Sequence, residues 1–190
     1  MLSFSYTGAS DFLQEQNDPN QSLGGFISSS IVSNDVLDNL FSSLSNINLE
    51  DNLNNYCLLA IKNEDTVNEK TNLRIYWDYQ ENNISTLEIS AVTPSIDSCN
   101  RYFFEKISNK NSKPLIASFV EAEGIFNEVV IGNLQPNQYI GIWFNRKIKE
   151  EFSDNVYINT QEYCDELILA DENNTKVSLK EKIELFINYD

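Results

Sequence analysis

Between Asn72 and Tyr79 the side chains alternate in character. Leu73, Ile75 and Trp77 fall on one face and Arg74, Tyr76 and Asp78 on the other. A period of two predicts a half-buried β-strand. Ser85–Val92 repeats the pattern, with Leu87, Ile89 and Ala91 on one side. A short polar turn, Glu81–Asn83, separates the two segments and predicts an antiparallel hairpin. Leu73, Ile75, Trp77, Leu87 and Ile89 are the expected core face of that hairpin. Tyr56–Lys62 (YCLLAIK) is apolar throughout and bounded by asparagines. Gln138–Ile148 (QYIGIWFNRKI) is aromatic and β-branched and is the strongest strand signal in the chain.

Weaker signals surround these. Phe26–Val32 reads as the first firm strand, Arg101–Ile107 as a strand or a short irregular piece, Leu115–Val120 as an apolar segment opened by Pro114, and Glu128–Ile131 as a segment ahead of the turn at Gly132. Glu166–Leu169 and a last strand at Lys182–Tyr189 close the chain. One short helix is predicted after Asn34 or Asp35, with Leu37, Leu40, Phe41 and Leu44 at helical spacing. About eight or nine short strands, punctuated by Asn, Asp, Pro and Gly, predict an all-β fold. The expected form is an antiparallel sandwich, Ig-like or jelly-roll-like.

Residues 1–24 are polar and turn-rich, with Gly8, Asp18–Pro19 and Gly24–Gly25. They predict an extended N-terminal arm carrying at most a short strand at Leu2–Tyr6, ahead of a sandwich domain over 25–190. Ordering a residue costs about 1–2 kcal/mol of backbone entropy. Five large apolar side chains in such an arm do not offset that, so neighbouring subunits are expected to order it.

Composition narrows function more than fold. Of the 190 residues 29 are acidic and 13 basic, for a net charge of −16. No basic cluster of the kind nucleic acid requires is present, and an anionic membrane surface would repel the chain. There is no histidine, which removes the Ser-His-Asp and Cys-His-Asn triads and the commonest metal ligand. Cys57, Cys99 and Cys164 are far apart, without a CxxC pair, and read as reduced thiols. The start MLSFSYTGASDF has no basic or apolar signal region, and no apolar run approaches the length of a membrane span. The Asn-x-Ser/Thr sites at Asn20, Asn83 and Asn173 then follow from asparagine-rich composition.

No nucleotide or hydrolase motif occurs, and no carboxylate pair is marked out for glycoside cleavage. Asp171–Asn174 has oxygen ligands but not the spacing of a calcium loop. The expectation is a non-enzyme without cofactor or metal. Trp77 shares the Leu73/Ile75 face and is expected in the core rather than on a sugar-stacking platform. Trp143 lies in a strand apolar on both faces. If the chain itself does not cover one of those faces, another subunit does.

Four segments occur in a recognisable order: DPNQSLGGFISS at Asp18–Ser29, Leu40–Phe41, YCLLAIKN at Tyr56–Asn63, and GNLQPNQYIGIWFNRKI at Gly132–Ile148. This order resembles a group of virion structural proteins of tailed bacteriophages. Those proteins carry an SLGG stretch, an LF pair, a YRC-type strand and a late G-x-L-x-x-G-x-x-x-x-[IV]-W-x-[RK]-R strand. Here Tyr56 is followed directly by Cys57, Asn137 stands at the second glycine, and Asn145 precedes Arg146. A longer acidic segment follows residue 150.

The resemblance implies a subunit of the neck, tail or capsid that assembles with other virion proteins and with copies of itself in a ring or lattice. Its location would be the virion, after synthesis in the bacterial cytoplasm. Candidate subunit-interface residues are Asp18, Ser22, Leu23, Gly24, Gly25, Trp143 and Arg146. Arg146 would anchor an acidic partner surface or, in the plainer reading, end its strand in water or in an ion pair within the chain. The competing reading of the whole chain is a carbohydrate- or receptor-binding β-sandwich module, which requires exposed aromatics on one sheet face.

Overall fold

The computed structural model describes residues 2–32, 40–41, 54–78, 85–122, 127–148, 161–170 and 176–185. Side chains are described for all of these except residues 77, 78, 85, 148 and the last two ranges. The strands are β1 (Leu2–Ala9), β2 (Gly25–Ile31), β3 (Asn54–Asn63) and β4 (Lys70–Asp78). They continue with β5 (Ser85–Val92), β6 (Ser95–Ile96), β7 (Tyr102–Phe104) and β8 (Val120–Glu121). The last are β9 (Val129–Leu134), β10 (Tyr139–Ile148), β11 (Gln161–Ala170) and β12 (Lys176–Leu185). The helix expected after Asn34 lies almost wholly outside the described residues.

The strands form two antiparallel sheets. The larger runs β6-β7-β2-β1-β3-β10-β5-β8 and the smaller β12-β11-β4-β9. Leu73 and Ile75 of β4 share one cluster with Leu87 and Ile89 of β5, and with Leu59, Ile61, Ile142 and Phe144. The two sheets therefore face each other across a common core, and the fold is an all-β sandwich.

The expected hairpin does not form. β4 pairs with β11 and β9, whereas β5 pairs with β10 and β8. The alternation fixed which face of each strand is apolar, and both faces do meet the same core. It did not fix the backbone partner, and the chain crosses from one sheet to the other between the two strands. The side chain of Trp77 lies outside the described residues.

The N-terminal arm is likewise overturned. β1 sits inside the large sheet, between β2 and β3, with five paired positions from Leu2↔Asn63 to Tyr6↔Leu59. Leu2, Phe4 and Tyr6 are buried in the core between the sheets. Ser3, Ser5 and Thr7 face the other way and are buried too. The segment LSFSYTGA is an alternating strand whose second face is small and hydroxylic, and its serines made it read as polar. A boundary at residue 24 therefore does not separate an arm from a domain.

Two other segments differ. Of the apolar run Leu115–Val120 only Val120 enters a strand. The carboxylate of Glu105 accepts the backbone N–H groups of Leu115 and Ile116 at 2.9 and 3.2 Å, and Ser90 Oγ accepts that of Ser118 at 2.9 Å. These side-chain acceptors take the donors that a ladder would have used. Near the C-terminus, Glu166–Leu169 lies within the longer β11, which pairs along its length with β12. β12 therefore begins at Lys176, ahead of the expected 182–189.

The central strands are apolar on both sides for a structural reason. In β3, Cys57, Leu59 and Ile61 face the small sheet. Tyr56, Leu58 and Ala60 face the opposite way, into a second cluster with Trp143, Leu23, Phe104, Ile107 and Ala117. Residues from the 10–24 and 105–119 connections cover that outer face. The molecule is thus small sheet, large sheet and a lid of loops, with two hydrophobic layers between them.

Candidate functional site

The Asp18–Gly25 motif is one of the segments that make the lid. Pro19–Gln21 forms a single 3-10 turn, capped by Asp18, whose carboxylate accepts the N–H of Asn20 at 2.9 Å. Proline presets the first position of such a turn and aspartate supplies the cap. The turn delivers Ser22 into the interior. Its hydroxyl accepts the N–H of Thr7 at 2.8 Å and donates to the carbonyl of Leu58 at 2.6 Å. Thr7 Oγ1 donates to the same carbonyl at 3.1 Å and accepts the N–H of Gly24 at 3.1 Å.

These bonds occupy the place where β1 leaves β3. Gly8 has φ +86°, which turns the chain away after Thr7. Beyond that point the ladder of β3 is continued by other backbone. Leu58 N–H donates to Ser22 O at 2.7 Å, and Tyr56 N–H to Lys110 O at 2.7 Å. Leu23 accepts the N–H of Ile107 at 3.0 Å. Gly24 then passes so close to the 105–107 segment that a Cβ would overlap the carbonyl of Glu105. Gly25 pairs with Phe104.

At the end of β10 the guanidinium of Arg146 lies over the ring of Phe41, 4.7 Å from its centroid. Arg146 is 1% exposed. Beside it is a recess of about 10 Å³, bounded by Asn20, Asn55, Tyr56 and Lys110 as well as the Phe41–Arg146 stack. That is room for about one water molecule. Burial, and secondarily the charge of Arg146, lower the pKa of Lys110. On the outer face of the sheet, Asn145 donates to Glu88 at 2.7 Å and to Asn54 at 3.2 Å. Burial, with Glu88 adding to it, raises the pKa of the Tyr56 phenol.

The recess joins two cations, two amides and a phenol that resists ionisation. It has room for about one water molecule. Among the described residues no three His, Cys, Asp or Glu side chains come together as a metal site. Among the described residues no helix is long and apolar enough to cross a membrane.

The seven candidate interface residues do not form an exposed face. Ser22 and Trp143 are 0% exposed, and Leu23, Gly24 and Arg146 are buried as well. Only Asp18 is exposed, with Gly25 half-buried. Trp143 is covered by the chain's own lid, through Leu23 and Ile107, so no second subunit is needed there. Its ring is also unavailable for stacking on a sugar. What the motif residues do is internal: they close the lid and continue the β3 ladder.

Asn137, the departure at the second glycine, has φ +59°. Asparagine is among the few residues that accept this left-handed conformation, so it fills the glycine position of the turn entering β10.

Sequence reasoning missed two features. Leu115 and Ile116 are exposed by 91% and 61%. Lys110 lies beside Arg146 although 36 positions separate them in the chain. The only sequence signal for the first was Pro114 ahead of two apolar residues. The second had none. No family model matches this chain, and no curated protein matches it significantly.

Proposed function

We propose that this chain is a non-enzymatic structural subunit of a tailed-phage particle, a neck, tail or capsid-associated component that works by packing against other proteins. One observation carries the reading. The four segments that resemble virion proteins converge on a single recess: Asn20 from the first, Phe41 from the second, Tyr56 from the third and Arg146 from the fourth. Segments separated in the chain that meet at one point are parts of one folding unit. Their convergence supports reading the four segments as one set of matched features rather than as separate short motifs. The partners in this reading are other virion proteins and further copies of the chain, and its place is the virion.

The test is incorporation. A tagged chain is expressed during infection and the particles are purified on a density gradient. The expected result is co-sedimentation at a fixed copy number per particle, detected by quantitative mass spectrometry. A chain found only in the soluble fraction would overturn the proposal. So would an isolated chain that hydrolyses a glycan and loses that activity with one Asp or Glu replacement that leaves folding intact.

A further inference from the structure

The connection between β7 and β8 presents a surface that the inner architecture does not use. Leu115 is 91% exposed and Ile116 61%, and Val120 at the adjoining sheet edge is 48% exposed. A single exposed apolar residue is ordinary. Here two neighbours are raised together on a bend fixed by Glu105, whose two carboxylate oxygens accept both backbone N–H groups. A preorganised apolar knob loses little conformational entropy on docking.

Exposed lysines flank it in the chain. Arg101, Lys106, Lys110 and Lys113 fall within thirteen positions that contain one acidic residue, Glu105, in a chain of net charge −16. Arg101 is engaged by Asp97 and Asp11, whereas Lys106 and Lys113 are exposed. The remainder of the molecule is correspondingly acidic.

We infer that the 105–120 connection is a docking surface for the acidic surface of a second copy of this chain. Leu115 and Ile116 form the centre of the contact, and Lys106 and Lys113 its charged rim. The exposed lysines complement an acidic occupant, and a second copy of this chain, of net charge −16, is one. Two copies of net charge −16 repel over most of their surfaces, and a basic patch meeting an acidic one is the arrangement that brings them together. A contact between unlike patches is heterologous and closes into a ring, or continues as a filament. This inference rests on the assembly function proposed above and names a surface for it.

The experiment measures self-association by sedimentation velocity over a wide concentration range. It compares the full chain with Leu115→Ser/Ile116→Ser and with Lys106→Glu/Lys113→Glu. All four positions are exposed, so the variants should keep the parent's melting temperature. The expected result is association of the parent, weakened roughly thirtyfold in the apolar double variant, as loss of a central hot spot implies. The charge-reversed variant should associate more weakly as well. A parent that stays monomeric throughout overturns the inference, as does association that is equal in all three proteins. Particle incorporation separates the two proposals. If the parent and both variants enter particles equally, the docking surface is wrong and the virion role stands. If the parent is excluded from particles, the virion role is wrong. If the parent is monomeric alone and only the variants fail to enter particles, the occupant is a different virion protein and the second-copy assignment is overturned.

Discussion

The backbone carbonyl of Glu105 fills the space that a side chain on Gly24 would need. Gly24 also has φ +88°, a conformation L-residues rarely adopt. Neither the turn nor the carbonyl is easily displaced, because Leu23 O accepts from Ile107 N at 3.0 Å and Gly24 N donates to Thr7 Oγ1 at 3.1 Å. Gly24→Ala should therefore destabilise the protein by more than about 3 kcal/mol, from backbone strain and overlap together. Urea denaturation measures it. A loss below about 1 kcal/mol would mean that the lid moves aside at little cost.

Deleting residues 1–16 should unfold the protein. The deletion removes β1 from between β2 and β3 and takes Leu2, Phe4 and Tyr6 out of the core. Each such side chain stabilises by about 1.5–3 kcal/mol, and a domain of this size has only about 5–15 kcal/mol in total. The truncated chain should be insoluble, or should lack a cooperative thermal transition in circular dichroism. A soluble truncation with an unchanged melting temperature would return residues 2–9 to the status of an appendage.

Phe41 and Arg146 should be energetically coupled. A guanidinium stacked on a ring away from water is worth about 2 kcal/mol. In a double-mutant cycle with Phe41→Leu and Arg146→Met, the coupling energy should reach about 1–2 kcal/mol. Arg146→Lys should not substitute for the parent, because an ammonium lacks the planar face that stacks. Additive single-variant effects, within about 0.3 kcal/mol, would remove the stack from the account.

Asp65 gives the pH prediction. Its carboxylate accepts the N–H groups of Val67 and Asn68, each at 2.9 Å. Those bonds, Asn68 foremost, hold its pKa well below the usual carboxylate range. A folded-state pKa below the unfolded one gives stability that is complete above the unfolded value, about 4, and lost as pH falls towards the folded value. The parent should therefore melt above Asp65→Asn at neutral pH, with the gap narrowing between about pH 5 and about pH 3. Thermal melts across that range check it, and a constant gap would show that the charge contributes nothing.

Face was legible in the sequence and partner was not. Leu73, Ile75, Leu87 and Ile89 were recognisable as inward by alternation, and all four are in the core. Alternation says nothing of which backbone a strand meets, and β4 and β5 went to different sheets. The double-sided burial of Tyr56–Ile61 and Ile142–Phe144 was visible as continuous apolar runs. That the outer face would be covered by residues 10–24 and 105–119 was not, because the side chains that cover it, among them Phe12, Leu23, Ile107, Ala117 and Phe119, are scattered through loops and share no strand period. Gly24 was readable as a position needing freedom or close approach. What it approaches, Glu105, depends on a contact across 81 positions of chain. The exposure of Leu115 and Ile116 was hidden because side-chain acceptors on Glu105 and Ser90 outcompete a strand whose propensity is good.

The position of β10 between β3 and β5 has a consequence for synthesis. β10 is the shared partner of β3 and β5, so the large sheet stays in two unjoined pieces until residue 148 has left the ribosome. The segment from Tyr56 to Ile61, apolar on both sides, is by then long exposed, with one edge open. At about 5–20 residues per second the interval lasts several seconds, far longer than hydrophobic collapse. The nascent chain thus spends its most adhesive period tethered to the ribosome, with that open strand edge free to pair wrongly.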